Sequence, residues 1–268
     1  MPVESEQMVA TEPSSEFDAF EVQVADTKGL EGGIFVSDLH LLSSRCDSQR
    51  AISDLHQYNS QSQCIVLGGD TFDFRWSTQG GCEQTCDAAV RWLEDLLNET
   101  GEASIYFLLG NHDCLPEFAV RLGALSEVES RFQLISHMLL LADCLFLHGD
   151  IVHAGGFSQL SKYREKYHHH EPRGKWQFRW YDLAVRLRVP GVVSRTVCPT
   201  PATCNRLSSM IEEVELAEWS RVKRVFFGHT HVAMNGYEVD GRRFYNAGSG
   251  IRFMEYTPHK FRFDGPLL

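Results

Sequence analysis

Residues 34–40 read IFVSDLH, a short apolar run that ends abruptly in an aspartate and a histidine. Four later apolar runs end in the same way, in GGD at residues 68–70, GNHD at 110–113, HGD at 148–150 and GHTH at 228–231. Apolar runs of this length, bounded by glycine and polar residues, predict buried strands. Ligand-type side chains at the ends of several strands are the way in which an α/β scaffold assembles a site from scattered sequence. Together the five runs predict a metal site at the strand ends of an α/β protein.

Length and composition indicate one globular domain of above-average size that carries an insertion. The chain has 268 residues, 43% of them hydrophobic and 23% charged, and its formal net charge is −11. This acidic balance argues against general nucleic-acid binding, which requires a basic surface. The longest apolar run, residues 138–147, is interrupted by Asp143 and is too short to span a bilayer. Because a basic, apolar secretory signal is also missing, we expect a soluble cytoplasmic protein without nucleic-acid partners.

The N-terminal residues differ in charge from the rest of the chain. No Lys or Arg precedes Lys28, whereas seven acidic residues do. Segments that combine one sign of charge with few large apolar side chains bury too little surface to fold by themselves. We therefore predict a disordered acidic tail at residues 1–27 and a folded domain at residues 28–268.

The eight cysteines are expected to be free thiols, since nothing in the sequence directs the chain to an oxidising compartment. Cys64, Cys114 and Cys144 lie in or beside apolar runs, where a thiol behaves as a small hydrophobic group. Cys82 and Cys86 are four residues apart in a glycine-rich stretch without a second Cys or His pair close by. We interpret them as an incidental pair, and a zinc knuckle is the alternative.

Apolar periodicity predicts helices and strands between and after the five runs. One helix is expected at residues 86–99, and another at 115–125, where Pro116 stands near its start. Further strands are predicted at residues 133–141 and 144–147 with a turn at Ala142-Asp143, and at 222–227, 236–239 and 243–245 with a hairpin turn at Asp240-Gly241.

Residues 157–204 interrupt the alternation of strands and helices. The segment contains nine Lys or Arg and three Asp or Glu, a net charge of +6 within an acidic chain. We predict a helical cap that is inserted between the fourth and fifth ligand-bearing strands. The alternative is an ordinary pair of solvated helices. The apolar and basic residues of its middle part are Trp176, Phe178, Arg179, Trp180, Arg186 and Arg188.

The five motifs, SDLH, GGD, GNHD, HGD and GHTH, resemble in type and order those of the calcineurin-like metallophosphoesterase superfamily, over residues 33–250. The resemblance implies a four-layer αββα sandwich of two mixed sheets flanked by helices. It also implies two divalent ions, with manganese expected and iron or zinc as alternatives. Two such ions clamp phosphate oxygens and activate water for in-line attack. By motif, Asp38, His40 and His231 would hold one ion, Asn111, His148 and His229 the other, and Asp70 would bridge them.

The resemblance also gives His112 a place at the phosphate, because it directly follows a ligand. It would bind substrate together with Asn111 and His229 and donate a proton to the leaving oxygen. Asp113 would orient its ring and raise its pKa. General acid catalysis of this kind contributes roughly 10²–10⁴ in rate. The alternative is a structural histidine outside the ligand set.

Within the superfamily, the stretches VSDLHL at residues 36–41 and LGGDTFDF at 67–74 look most like the UDP-2,3-diacylglucosamine diphosphatase branch, as does the helical insertion. That branch cleaves the pyrophosphate of a lipid-bearing UDP-sugar in lipid A synthesis, at the cytoplasmic face of the inner membrane. A basic, aromatic cap would suit such a substrate and a peripheral membrane contact. The chain departs from the branch at His112, where the best-known members carry arginine, and at residues 245–249, which are closer to the wider superfamily.

Other functions share parts of this pattern. A phosphomonoesterase or phosphodiesterase of a small substrate would use the same metal ligands and is the main alternative. A repair-type nuclease shares GNHD, but the acidic chain argues against it. A non-catalytic scaffold of the same fold would be expected to have lost ligands, and here the set is complete.

Overall fold

Two mixed β-sheets face each other at the centre of the molecule, and helices cover their outer surfaces. The computed structural model describes residues 21–47, 49–168, 175–213 and 219–263. The strands are β1 Val22–Ala25, β2 Gly32–Val36, β3 Gln63–Leu67, β4 Ser104–Leu108, β5 Phe132–Ile135, β6 Met138–Leu141, β7 Cys144–Leu147, β8 Arg224–Phe227, β9 Met234–Val239, β10 Arg242–Asn246 and β11 His259–Arg262. The helices are α1 Gln49–Leu55, α2 Cys82–Glu99, α3 Pro116–Val128, α4 Ile151–Ala154, α5 Leu160–His168, α6 Lys175–Arg186, α7 Val189–Val197 and α8 Thr200–Glu212.

The strand order brings the five motif-bearing strands together. One sheet has the order β11-β2-β3-β4-β5, in which β2, β3, β4 and β5 are parallel and β11 is antiparallel to β2. The other has the order β1-β6-β7-β8-β10-β9, with β7 parallel to β8. The carboxyl ends of parallel strands meet at one edge of a sheet. The loops after β2, β3 and β4 therefore converge at the edge of one sheet, and those after β7 and β8 converge at the edge of the other.

Side-chain alternation along these strands produces the four layers. Phe35, Phe146 and Phe226 point into the space between the sheets, where the rings of Phe146 and Phe226 stack with centroids 4.9 Å apart. Ile34 and Val36, which flank Phe35 in the sequence, point to the opposite face and pack in the cluster that includes residues of α2 and α3. The outer face of the six-stranded sheet packs likewise against α4 and α8. Successive strand residues on opposite faces thus build the predicted αββα sandwich.

Both predicted turns and most predicted elements are confirmed. Ala142 has φ 51° and joins β6 to β7 in an antiparallel hairpin. Asp240 and Gly241 have φ 48° and 76° between β9 and β10, the left-handed pair that a tight hairpin turn requires. The predicted single strand at residues 133–141 is wrong. It is divided into β5 and β6, which belong to different sheets, because the chain passes from one sheet to the other after Ile135.

The predicted acidic tail is too long. Val22–Ala25 form β1, which pairs in parallel with Met138–Leu141 at the edge of the six-stranded sheet. Residues 1–20 lie outside the described residues. The charge pattern alone did not indicate an ordered segment here. Pairing with the apolar strand β6 gives residues 22–25 an ordered position.

The described residues of the inserted segment are largely helical, as its composition predicted, but its helices differ in what they contact. In α5, Leu160 is buried, and the buried Arg164 donates to the Asp150 carboxylate, so α5 is part of the main core. A break separates α6 from α7 at Arg188, whose φ of 59° ends the first helix before Pro190. Among the described helices, none is long and apolar enough to cross a membrane.

Candidate metal centre

The motif loops hold their ligand-type residues in an unusual backbone conformation. Asp38, His40, Asp70, His229 and His231 all have φ between 50° and 65°. This left-handed region is unfavourable for residues with a side chain, and it is populated where the surrounding structure enforces it, most often at functional sites. The observed strain therefore marks the strand ends as the functional region.

One cluster of donors forms where the loop after β2 meets the loop after β8. Donor atoms of Asp38, His40, Asp70 and His231 all lie within 4.8 Å of one another. Nε2 of His231 is 3.1 Å from Asp38 Oδ1 and 3.1 Å from His40 Nε2. The two Nε2 atoms face each other beside carboxylates. A divalent cation between them could accept the lone pairs of both nitrogens, so this arrangement suits a shared cation.

A second cluster forms where the loops after β3, β4, β7 and β8 meet. Donor atoms of Asp70, His148 and His229 lie within 4.8 Å of one another, and the amide oxygen of Asn111 is 3.3 Å from His148 Nε2. Nδ1 of His148 is 3.0 Å from the carbonyl oxygen of Gly68. Donation of the Nδ1 proton to that carbonyl fixes the tautomer, so the lone pair of Nε2 faces the cluster. The seven sequence-predicted metal ligands are thus brought together, with Asp70 common to both clusters.

Electrostatics keep the shared carboxylate ionised. Burial alone would raise the pKa of Asp70, but the nearby rings of His148 and His112 hold it well below its usual range. Burial opposes a charge on His148, yet Asp70 and other carboxylates outweigh burial and raise its pKa to about 10. In the metal-free protein, a proton on the His148 ring thus balances the charge of Asp70, whereas burial lowers the pKa of His229 and of His40. A divalent cation can replace the proton on His148, since both need the same lone pair.

Glycines in the motifs make this approach of side chains possible. A Cβ added to Gly110 would lie under 3.0 Å from the Asp70 carboxylate and 2.9 Å from His148 Cε1. A Cβ added to Gly228 would meet the Asp38 carboxylate and would lie 2.8 Å from Ser37 Oγ. The glycines of GNHD and GHTH are therefore needed because donor side chains occupy the space of a Cβ.

The expectation that Asp113 orients His112 is wrong. Asp113 accepts hydrogen bonds from the backbone N–H of Gly110 at 2.7 Å and of Thr71 at 2.8 Å, and so ties two motif loops together. Its pKa is raised to about 7 by burial and by the Asp70 charge. The partner of the His112 ring is instead Asp73, whose Oδ1 lies 3.1 Å from His112 Nδ1.

Asp73 was missed by sequence reasoning although it stands in the quoted stretch GGDTFDF, three residues after Asp70. It is fully buried, and its Oδ2 is 3.5 Å from His40 Nδ1. Burial opposes a charge on His112, but Asp70 and Asp73 outweigh burial and raise the pKa of the ring. A second acidic residue at this spacing after a strand was the available signal.

A cavity of about 340 Å³ opens over the clusters. His112 lines it, and so do two groups that sequence reasoning did not single out: His153, and the tyrosines of α5. His153 Nδ1 is 2.6 Å from His229 Nε2, and the hydroxyls of Tyr163 and Tyr167 are 3.1 Å apart. The wall from α7 consists of Val193, Ser194, Val197 and Cys198.

The predicted cap residues on α6 do not line this cavity. Phe178 contacts the ring of Trp76, with centroids 5.4 Å apart, so it serves to attach α6 to the domain. Trp176 and Trp180 stack on each other and are 69% and 62% exposed. Arg186 pairs with Asp182 one turn earlier on the same helix. The apolar lining of this cavity comes instead from Val193 and Val197 of α7, so the expectation that Trp176, Phe178 and Trp180 face the substrate is corrected.

Cys82 and Cys86, interpreted as an incidental pair with a zinc knuckle as the alternative, belong to no metal-suited donor group among the described residues. Cys82 and Cys86 lie one turn apart at the start of α2, and the metal-suited donor groups found in this part of the chain all belong to the centre above. None of the eight cysteines forms a disulfide.

A match to a family model agrees with the motif order. The family model of the calcineurin-like phosphoesterases matches residues 34–233. A search of curated proteins found no match. Among solved structures, a dimetal phosphatase from Danio rerio is similar at 11% identity and a TM-score of 0.45, covering 89% of this chain and 98% of its own. Since the family model spans most of the chain and includes all five motifs, the chain belongs to the calcineurin-like phosphoesterases and is a metal-dependent phosphohydrolase.

Proposed function

We propose that this protein hydrolyses the pyrophosphate bond of a lipid-linked UDP-sugar with two divalent ions, preferably manganese. The arrangement of two donor clusters that share one carboxylate supports this metal count. When bound, the ions neutralise charge on the phosphate oxygens and lower the pKa of water. Asp38, His40 and His231 would hold one ion and Asn111, His148 and His229 the other, and Asp70, which belongs to both clusters, would be shared between them.

The residues around the clusters have separate tasks in this proposal. His112 donates a proton to the leaving oxygen, and Asp73 holds its ring through Nδ1 so that Nε2 is directed away from Asp73. Asn111 and His229 contribute to the phosphate site beside the ions. Tyr163 and Tyr167 form the wall that limits access of bulk water.

The single observation that favours an acylated substrate is the composition of the cavity wall opposite the donor clusters. Val193 and Val197 of α7 face the same cavity as Asp70 and His112. A polar reaction centre beside an apolar wall suits a substrate that carries both a diphosphate and an apolar group. A small, fully polar phosphoester would gain nothing from that wall.

The outer surface of α6 supports a contact with a bilayer, where such a substrate would be found. Trp176, Trp180, Leu183 and Leu187 recur at helical spacing, and all four are exposed. Arg179 and Arg186 are exposed on the same helix. Exposed Trp and Leu flanked by Arg are typical of helices that lie in the membrane interface. We therefore assign residues 175–197 as the cap, which makes a peripheral membrane contact.

The test is the replacement of the α7 wall. Deletion of residues 158–200 is unsuitable, because it removes Leu160 and Arg164 from the core. The double variant Val193→Ser, Val197→Ser retains the helix and loses roughly 1.5 kcal/mol of apolar contact per side chain. We expect kcat/KM on an acylated UDP-sugar to fall by roughly ten- to a hundredfold, and kcat/KM on a small phosphodiester to remain.

The matched control is Val120→Ser, Val128→Ser on α3, where both side chains are exposed away from the cavity. It should change neither activity. If the α7 variant leaves the ratio of the two kcat/KM values unchanged, or if the wild-type protein prefers the small diester, the alternative applies, a phosphomonoesterase or phosphodiesterase of a small substrate.

A further inference from the structure

A buried arginine connects the cap to the catalytic histidine. Arg45 is only 5% exposed, and its Nε donates to Asp73 Oδ2 at 2.9 Å, with Nη2 contacting the same oxygen. Its Nη1 donates to the hydroxyl of Tyr181, which lies on α6. Asp73 in turn contacts the His112 ring. The four side chains form a continuous polar chain from the cap to the reaction centre.

The geometry around Arg45 is that of a fixed support. Its guanidinium lies 4.8 Å from the centroid of the Tyr181 ring and 5.8 Å from that of Trp76, and these two rings stack 4.5 Å apart. A planar guanidinium held by stacking and by a carboxylate has few alternative positions. The backbone N–H of Trp76 also donates to Asp73 Oδ1, at 3.1 Å. Asp73 is thus held from both sides.

The fixed carboxylate controls two imidazole rings. Its Oδ1 lies 3.1 Å from His112 Nδ1, and its Oδ2 lies 3.5 Å from His40 Nδ1, which has no hydrogen bond within the described part of the chain. An ionised carboxylate only accepts hydrogen bonds, so a proton on Nδ1 is favoured in both rings. Nε2 is then the atom of each ring that is available for proton donation or metal binding. Any shift of Arg45 moves the acceptor that selects this tautomer.

We propose that Arg45 and Tyr181 are positioning residues for the chemical step: Tyr181 anchors Arg45, Arg45 fixes Asp73, and Asp73 holds His112 in the orientation for proton donation. The cap helix α6 therefore supports catalysis on every substrate whose leaving group needs a proton, including substrates that do not contact the cap. This inference rests on the role of His112 in the proposed function, but not on the identity of the substrate.

The main test is Tyr181→Phe, which removes the hydroxyl and retains the ring that stacks on Trp76. On a small phosphodiester with an alkoxide leaving group, we expect kcat to fall about five- to twentyfold with KM unchanged, since hydrogen bonds to charged groups are the stronger class. With a nitrophenolate leaving group, which needs no proton, the loss should shrink to less than about twofold. Arg45→Lys keeps the charge but not the planar fork, and should lower kcat further.

The matched control is Asp182→Asn on the same helix. Asp182 pairs with Arg252, so this variant also weakens the attachment of α6, but by a contact that does not lead to Asp73. It should leave kcat on the alkoxide substrate unchanged. Equal losses for Asp182→Asn and Tyr181→Phe would refute the inference, because general loosening of the cap would then explain both.

A double-mutant cycle separates this inference from the proposed function. In the His112→Ala background, Tyr181→Phe should have no further effect on kcat, because the histidine that it positions is gone. The ¹⁵N chemical shifts of the two ring nitrogens of His112 give a readout that does not require metal. In Tyr181→Phe, they should move toward the values of a mixture of the two tautomers. If His112→Ala shows no leaving-group dependence, the proton-donor role fails. If His112→Ala does show leaving-group dependence, but Tyr181→Phe retains full kcat or unchanged ¹⁵N shifts of the His112 ring, the positioning role fails.

Discussion

Gly110 lies directly against Asp70, the ligand shared by both clusters, and adding one methyl group there tests the geometry of the centre. In Gly110→Ala, the new Cβ would lie under 3.0 Å from both the carboxylate and the amide nitrogen of Asp70, whereas ordinary contacts begin near 3.4 Å. The φ of Gly110 is not in the left-handed region, so alanine meets no backbone restriction. The methyl must therefore be accommodated by displacement of Asp70, by roughly 1 Å.

The expected loss follows from that displacement. A shift of about 1 Å in a reacting group costs on the order of a hundredfold in rate, and overpacking of a rigid site costs roughly 1–3 kcal/mol of stability. We expect kcat of Gly110→Ala to fall at least about a hundredfold and the affinity for the second ion to weaken, with the circular dichroism spectrum unchanged. Turnover on a small phosphodiester and metal content by elemental analysis are the measurements.

Gly123→Ala provides the control for this experiment. Gly123 lies within α3 and has no neighbouring atom within 4 Å of an added Cβ. Alanine there should raise the free energy of unfolding by roughly 0.5–1 kcal/mol and leave activity unchanged. If Gly110→Ala binds two ions and turns over at the wild-type rate, the close approach of Gly110 to Asp70 is not present in the working enzyme.

Two further predictions concern the ions. Asp70→Asn should retain the fold but lose most activity, because an amide has only one acceptor oxygen and no charge with which to join two cations; wild-type turnover with two bound ions would exclude the bridging assignment. Removal of metal by a chelator should lower the melting temperature, since the ions bind only the folded state, and saturating manganese at about 100 times Kd restores roughly 2.7 kcal/mol per site. For a domain of this size, that corresponds to roughly 5–10 °C, and a scanning-calorimetry trace that is indifferent to manganese would contradict the site.

The sequence was sufficient for the motif-bearing strands because each is short, apolar and followed within two residues by a glycine or a ligand-type residue. β3, β4, β7 and β8 need no knowledge of their partners to be recognised. The division of residues 133–141 could not be seen in the same way. Both halves are apolar, and only the pairing of Phe132–Ile135 with β4, and of Met138–Leu141 with β7, shows that the chain changes sheets between them. β1 was missed for a related reason, since its four residues acquire their place only from β6.

The orientation of His112 was predicted wrongly for a geometric reason. Asp113 is its sequence neighbour, but adjacent residues in a tight loop point their side chains in different directions. The Asp113 carboxylate is occupied by the backbone of residues 71 and 110, whereas Asp73 reaches the ring from the loop after β3. Spacing along the chain identifies ligands of one loop well. It does not identify contacts between loops, such as those that Asp73 and Asp113 make to hold this centre.

The two cap helices divide their contacts between the substrate cavity and the catalytic support. α7 supplies the apolar wall, through Val193 and Val197, and α6 reaches the centre through Tyr181 and Arg45. A change in the α7 wall can therefore alter which substrates bind without altering proton donation. If His112 is the proton donor, a change in α6 at Tyr181 alters the chemical step for every substrate whose leaving group needs a proton. Divergence in specificity would thus be expected in residues 189–198, while the contact between residues 45 and 181 has to be kept for any substrate whose leaving group needs a proton.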